Sequence, residues 1–346
     1  MPSAAIACPG SWTFGLDSPE RGESRWSQNL ARMLAMGGWD VFAFSGGDPT
    51  WGGMPEEPNV TLYPQDRIQR WVKGADLYID SSWWENKEAV VQAKAYLHLH
   101  FSVEDRLRQQ DFGFGPDHYL AFPFAEHADQ FYRDSPHLDR TLYVPAPLSE
   151  MRLPVWPTKH RLLWSTRPPS GGGAENPLAR TLIAAIAEAR KTAAFEVVWL
   201  FSDKLIEAGW LPPVPGPDDV YTPNQSLYGI PYCAMVETLR GVTVNLTAGA
   251  PANVPNASLL GIPSLLWGGD TPGGGCWPPA QAIARESQSL LGGGASVETI
   301  THTLLRLLIE PAHYLRTAQR LQHIYRDHTI DTCWRRFQHT LSVMGL

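Results

Sequence analysis

Residues 227–267 read LYGIPYCAMVETLRGVTVNLTAGAPANVPNASLLGIPSLLW. An apolar run at 242–246 leads into small residues at 247–254. A helical segment opening near Asn256 stops at Gly261, and a second apolar run fills 262–267. Strand, small-residue loop, helix and strand in that order predict one step of a parallel αβ sheet, with ligand-binding loops at the C-terminal edge of its strands. Such an edge suits a phosphate or a sugar, because the first amides of a helix lack partners within the helix.

The same alternation extends outward from this stretch. Strands are predicted at 4–8, 39–44, 75–80, 95–101, 119–123 and 141–144, with helices at 24–36, 66–72, 88–94 and 126–132. Gly37 and Gly38 stop the first of these helices. The run 144–160, VPAPLSEMRLPVWPTKH, has four prolines and no apolar period, which suits a connector between domains. Alternation then restarts with a strand at 161–166, a helix at 177–191 and a strand at 196–201. A proline-rich loop runs to Pro223, followed by a strand at 228–230 and a helix at 232–240. Three helices close the chain, at 296–309, 312–327 and 329–342. The reading is an α/β protein with two Rossmann-like, doubly wound parallel-sheet domains facing a cleft, one over 1–152 and one over 153–328. The terminal segment 329–346 is placed so that it can pack back on the first domain.

The totals narrow the function. A chain of 346 residues with 43% hydrophobic and 18% charged content matches an ordinary two-domain globular protein. A net charge of -7 offers no general basic field for nucleic acid, although Arg106, Arg108, Arg133 and Arg140 leave room for a local basic strip. Cys8, Cys233, Cys276 and Cys333 lack metal-ligand spacing and read as reduced thiols of a cytoplasmic protein. There is no signal-peptide pattern and no apolar run long enough to span a membrane. No D-x-D, P-loop or G-x-S-x-G element occurs, so neither a metal-bridged diphosphate nor a metal ion is expected.

Four segments carry candidate chemistry. Gly15 lies in the first loop, and Gly22, Glu23 and Ser24 open the helix that follows. Glycine permits close backbone approach there, while a plain serine cap is the structural alternative. In AYLHLHFSVED, alternation puts His98 and His100 on one face of a strand. His100 lies at the C-terminal end, placed to orient a hydroxyl; His98 reads as a structural histidine bonded to backbone. Arg167, in LLWSTRPPSGGGAENP, enters a glycine-rich loop from a strand, where a guanidinium can fork onto phosphate oxygens. The fourth segment is 227–267 itself.

These segments together resemble GT-B glycosyltransferases, in particular the large retaining group with an E-x7-E element. RGESRWSQNLARMLAMGGWDV, at 21–41, matches that group's first-loop pattern, with Trp39 in place of the usual histidine. The segment around Arg167 resembles its G-R-x-x-x-x-K-G element, with Gly171 to Gly173 at the lysine position. NASLLGIP resembles E-A-x-A-x-G-x-P, which places Asn256 at the second glutamate and Ala248 at the first. Gly229 and Ile230 resemble the loop that meets the nucleobase through main-chain bonds.

The resemblance implies transfer of a sugar from a nucleotide-diphosphate sugar, in the first instance a UDP-sugar such as UDP-glucose, to a hydroxyl acceptor. The transfer would be metal-independent and retaining, without a cofactor. Gly22, Glu23, Ser24, Arg167, Gly229, Ile230, Asn253, Asn256 and Ala257 would hold the donor. Gly15, Trp83, Trp84 and His100 would meet the acceptor, and His100 and Arg167 would act in the chemistry. The acceptor could be a hydroxymethylated base in DNA. A nucleotide-sugar-binding protein without catalysis and a GT-B-like epimerase are the other readings.

Overall fold

A computed structural model describes residues 1–7, 22–45, 58–64, 72–80, 93–99, 117–123, 140–145, 151–166, 177–200, 220–222, 239–248, 253–267, 290–291 and 295–346. These fall into two compact units. One lies within Met1–Leu148 and Asp327–Leu346, the other within Ser149–Ile230 and Ala234–Arg326.

The first unit contains seven parallel strands: β1 (Ser3–Ala7), β2 (Asp40–Ser45), β3 (Val60–Pro64), β4 (Leu77–Asp80), β5 (Ala95–Leu99), β6 (His118–Phe122) and β7 (Thr141–Tyr143). Their order in the sheet is β3-β2-β1-β4-β5-β6-β7. The chain winds outward from β1 in one direction and then, from β4, in the other, so the switch point lies between β1 and β4. Alternation divides each strand between two faces. One face presents Ala4, Ile6, Val41, Ala43, Leu77, Ile79 and Leu97 to α1 (Gly22–Met36). Trp26, Leu30, Met33 and Leu34 of that helix recur at helical spacing and are buried there.

α1 ends at the glycine pair. Gly38 takes φ 84° and the Trp39 amide reaches back to the Leu34 carbonyl at 3.0 Å, the left-handed stop that glycine makes without strain. The last helix of the chain (Ile330–Val343, α6 below) contributes Cys333, Phe337 and Leu341 to the same core. Its Trp334 indole covers Gly37, where a Cβ would lie 2.2 Å from the ring.

The second unit repeats the winding with β8 (Arg161–Thr166), β9 (Glu196–Leu200), β10 (Val220–Thr222), β11 (Val244–Ala248), β12 (Ser264–Trp267) and β13 (Leu290–Leu291), in the order β10-β9-β8-β11-β12-β13. All pairs are parallel, and the switch point lies between β8 and β11. Its helices are α2 (Pro177–Ala189), α3 (Asn253–Leu259), α4 (Val297–Ile309) and α5 (Pro311–Tyr325), followed in the first unit by α6. Leu162, Trp164, Val197, Trp199, Val244 and Leu246 pack against Leu182 and Ile186 of α2 and Ile300, Leu304 and Leu307 of α4.

Proline begins α2 and α5, where its missing N–H is no loss. Ser296 caps α4 by accepting from the Thr299 amide at 3.1 Å. Among the described residues, no helix is long and apolar enough to cross a membrane.

The expected alternation is therefore present, as two Rossmann-like sheets. Three strands are absent from the sequence reading: β3, β10 and β13, each pairing with one neighbour only. The expected strand at 228–230 and the helices at 66–72, 88–94 and 126–132 fall outside the described residues, save Val72 of the first and Ala93–Lys94 of the second.

Candidate functional site

In the second unit the strand ends at the switch point are Thr166 of β8 and Ala248 of β11, which are paired in register. Here the opening stretch is corrected in one respect. α3 begins at Asn253, three residues before the expected start near Asn256. Pro255 falls within the first turn, where a residue without an N–H is tolerated, so the proline does not delay the helix.

Asn256 and Ala257 thus lie inside α3, 1% and 0% exposed, rather than at its first amides. The Asn256 carbonyl accepts from Leu260, and the Ala257 carbonyl accepts from Ile262 at the turn into β12. Gly261 makes that turn at φ +78°, and residues 151–155 pack on it so closely that a Cβ would lie 2.9 Å from Pro154. Asn253 is the first residue of α3. Arg167, Gly229 and Ile230 lie outside the described residues, Arg167 immediately after β8.

The opposite edge of this sheet is tied down by charge. Glu196, first in β9, accepts from Arg161 Nε at 2.9 Å and Nη2 at 2.8 Å through one oxygen, and pairs with Lys159 through the other. The hydrogen bonds from Lys159 and Arg161 hold its carboxyl below the usual range. Thr243 closes the same edge, its hydroxyl accepting from the Arg161 amide at 2.8 Å. Further in, the Asn245 Nδ2 donates to Ser264 Oγ at 3.0 Å, a buried pair joining β11 to β12.

In the first unit Gly22, Glu23 and Ser24 form the first turn of α1, which opens two residues before its expected start. Gly15, Trp83, Trp84 and His100 lie outside the described residues, His100 one residue beyond β5. The described end of the sheet shows a group that the sequence reading did not single out. Tyr78 and Asp80 alternate on β4, Tyr96 and His98 on β5, and register places Asp80 beside both Ala7 and His98. All four are buried: Tyr78 0%, Asp80 1%, Tyr96 2% and His98 3% exposed.

The Tyr78 hydroxyl donates to Asp80 Oδ2 at 3.2 Å, and the Tyr96 hydroxyl lies 2.9 Å from His98 Nδ1. The two phenol rings stack at 5.4 Å, and His118 meets Tyr96 edge-on at 5.5 Å. Burial, reinforced by the Asp80 carboxylate, raises the Tyr78 hydroxyl well above its usual value, so it stays a donor. Burial pushes His98 down to about 4, so its ring is neutral at pH 7. The expected reading of His98 is a structural histidine bonded to backbone; in the structure its Nδ1 meets the Tyr96 phenol. The signal in the sequence is the repeated spacing Y-x-D at 78–80 and Y-x-H at 96–98, which becomes one cluster only when β4 and β5 are neighbours. The described residues thus set a buried carboxylate and a neutral imidazole at the end of the first sheet, the imidazole two residues before His100.

No protein-family model matches the chain, and no curated protein matches it by sequence. Solved structures match it along its full length. AviGT4, a glycosyltransferase involved in avilamycin A biosynthesis, is 16% identical over 100% of this chain and 99% of its own, with a TM-score of 0.59. HepE of Anabaena, solved with UDP and glucose, is 10% identical over 99% and 100%, with a TM-score of 0.61. A Listeria monocytogenes protein provisionally assigned as a UDP-N-acetylglucosamine 2-epimerase is 10% identical over 99% and 96%, also at 0.61. With the strand orders above, these likenesses show that the chain has the GT-B fold, two Rossmann-like parallel-sheet domains.

Proposed function

We propose that this protein is a glycosyltransferase that moves a sugar from a nucleoside-diphosphate sugar, in the first instance a UDP-sugar, to a hydroxyl acceptor. The observation that carries the reading is the second switch point. Its strand ends, Thr166 and Ala248, are paired, and each is followed by a small-residue or glycine-rich segment, in a fold shared with HepE, which was solved with UDP and glucose. Arg167 is the next residue of the chain after β8 and is the cation suited to the departing diphosphate.

In the transfer, the bond from the anomeric carbon to the diphosphate oxygen breaks and its electron pair stays on the diphosphate. The acceptor oxygen bonds to that carbon and gives up its proton. Guanidinium stabilisation of the leaving group supports a metal-independent reaction, and the family resemblance supports a retaining one. On this reading Gly229 and Ile230 meet the base, Asn253 and Asn256 the ribose side, and Trp83, Trp84 and His100 the acceptor. The four scattered cysteines, read as reduced thiols, support a cytoplasmic site of action.

The test is a panel of nucleotide sugars without acceptor. One donor is expected to be hydrolysed slowly, and Arg167→Ala is expected to cut that rate about a hundredfold or more. If no nucleotide sugar binds or turns over, the reading fails. Binding without turnover to any acceptor, hydroxymethylated DNA included, marks a non-catalytic protein. The Listeria likeness favours one second reading, epimerisation of the bound sugar. It is distinguished by conversion of UDP-N-acetylglucosamine to its epimer with no transfer to added acceptors.

A further inference from the structure

We propose that the outer face of α5, together with residues 151–155, docks the protein on an anionic lipid surface. Arg316, Gln319, Arg320 and His323 recur at i, i+3, i+4 and i+7, so they share one side of the helix over about 10 Å. With Ile324 they line an open depression of about 480 Å³. The other side of α5 buries Tyr314, Ala318, Leu321 and Tyr325, which fixes the cationic side outward. Among the described residues no carboxylate lines the depression. Nearby His313 reports the same local field. Burial first, then Arg306, with Arg316 and Arg320 adding to it against the opposing charge of Glu310, lowers its affinity for a proton. In a chain of net charge -7 this concentration of cations is local.

An apolar run lies along the flank of the same helix. Gln322 donates to the carbonyls of Arg152 and Leu259, and the Arg152 amide donates to Leu259 at 2.8 Å. Pro154 sits on Gly261. With its backbone held down in this way, the run leaves large apolar side chains in solvent: Met151 is 57%, Leu153 87% and Val155 72% exposed. Three exposed apolar side chains flanking the exposed Arg152, on a run bonded to the helix that carries Arg316 and Arg320, are what an interfacial surface offers, cations to headgroups and hydrocarbon to the acyl boundary. A nucleic-acid backbone would be met by the cations alone and would leave Leu153 and Val155 in water.

The proposal is independent of the transfer reading, because binding is measured without a donor. Cosedimentation with phosphatidylglycerol-containing vesicles, but not with phosphatidylcholine alone, is the expected result. Arg316→Gln with Arg320→Gln is expected to weaken it about thirtyfold. Leu153→Ser with Val155→Ser, which leaves the charge unchanged, is expected to weaken it about tenfold. Circular dichroism checks that both variants fold. Failure to cosediment, or binding unaltered in either variant, overturns the proposal. Retention on duplex DNA that is lost in the arginine variant, with no vesicle binding, overturns it in favour of a nucleic-acid surface.

Discussion

β1 begins beside Asp76, whose carboxylate accepts from the Ser3 amide at 2.8 Å and pairs with Lys94, while β9 begins with Glu196, held by Arg161 and Lys159. Both sheets are therefore pinned by a carboxylate where their strands start. Toward the interior the two diverge. The first sheet ends in Tyr78, Asp80, Tyr96 and His98, a buried and titratable cluster. At the corresponding strand pair, β11 and β12, the second sheet has a neutral amide–hydroxyl bond, Asn245 to Ser264, near the strand starts instead. A buried neutral pair fixes register at little electrostatic cost. A buried carboxylate beside a neutral histidine is costly to maintain, and such groups concentrate at functional edges. The difference teaches that two units with the same winding can be fixed by different interior polar groups. The first carries titratable groups near its strand ends, and the second a neutral pair near its strand starts.

Four experiments break or sharpen this contrast. The largest effect tests whether the first unit has a core of its own. Phe337→Ala empties a fully buried site on α6 and is expected to destabilise that unit by about 3–5 kcal/mol. Urea unfolding should then show an early transition, with the second unit melting as before. A single shifted transition would mean that the two cores unfold as one.

Next in size is the pH dependence of His98. Above pH 6.5 the ring is neutral whether the chain is folded or unfolded, and nothing is lost. Between 6.5 and about 4 the unfolded chain takes up a proton that the folded one refuses, so stability falls as pH falls, by up to about 3 kcal/mol. His98→Gln keeps a hydrogen-bonding partner for the Tyr96 hydroxyl and should flatten that slope in denaturation midpoints measured across this window.

The neutral pair should respond differently. Asn245→Ala leaves Ser264 without that donor and is expected to cost about 1–2 kcal/mol. The loss should be equal at pH 5 and pH 7; a loss that varies with pH would erase the distinction drawn between the two strand pairs. The smallest effect belongs to the shared frame. Because the Glu196 carboxyl is lowered from 4.5, its stabilisation is present above that value and disappears as pH falls through and below it. Glu196→Gln should remove only this acid-side dependence. The effect is modest, since Lys159 and Arg161 are 70% and 36% exposed and water screens them.

The interior strands and the closing helices were legible because each is built on a regular apolar period. β8 runs over 161–166 as read, and α4 to α6 begin and end within two residues of their expected bounds. The strands that were missed are edges. β3 ends in Pro64 and β10 lies in a proline-rich stretch, and an edge strand needs neither a full apolar pattern nor a complete set of amide donors. The stretch 227–267 was legible as strand, loop, helix and strand, but its helix starts about one turn before Asn256, a bound that apolar period alone does not fix. The Asp80 and His98 cluster was not legible. Its members are eighteen residues apart in the chain, and only the pairing of β4 with β5 brings them together.

By itself, the sequence determined that strands and helices alternate twice with a proline-rich break between, and hence that both sheets are parallel and doubly wound. Local periodicity suffices for this, because it marks which side of each element must leave water. Tertiary structure alone decided which partner covers each side. α4 closes on the second sheet, while α6, from the same C-terminal run of helices, packs with α1 over the first. Burial of apolar surface has no direction and does not name a partner, so that choice rests on shape: the indole of Trp334 on Gly37, and Pro154 on Gly261, fit because those glycines carry no side chain.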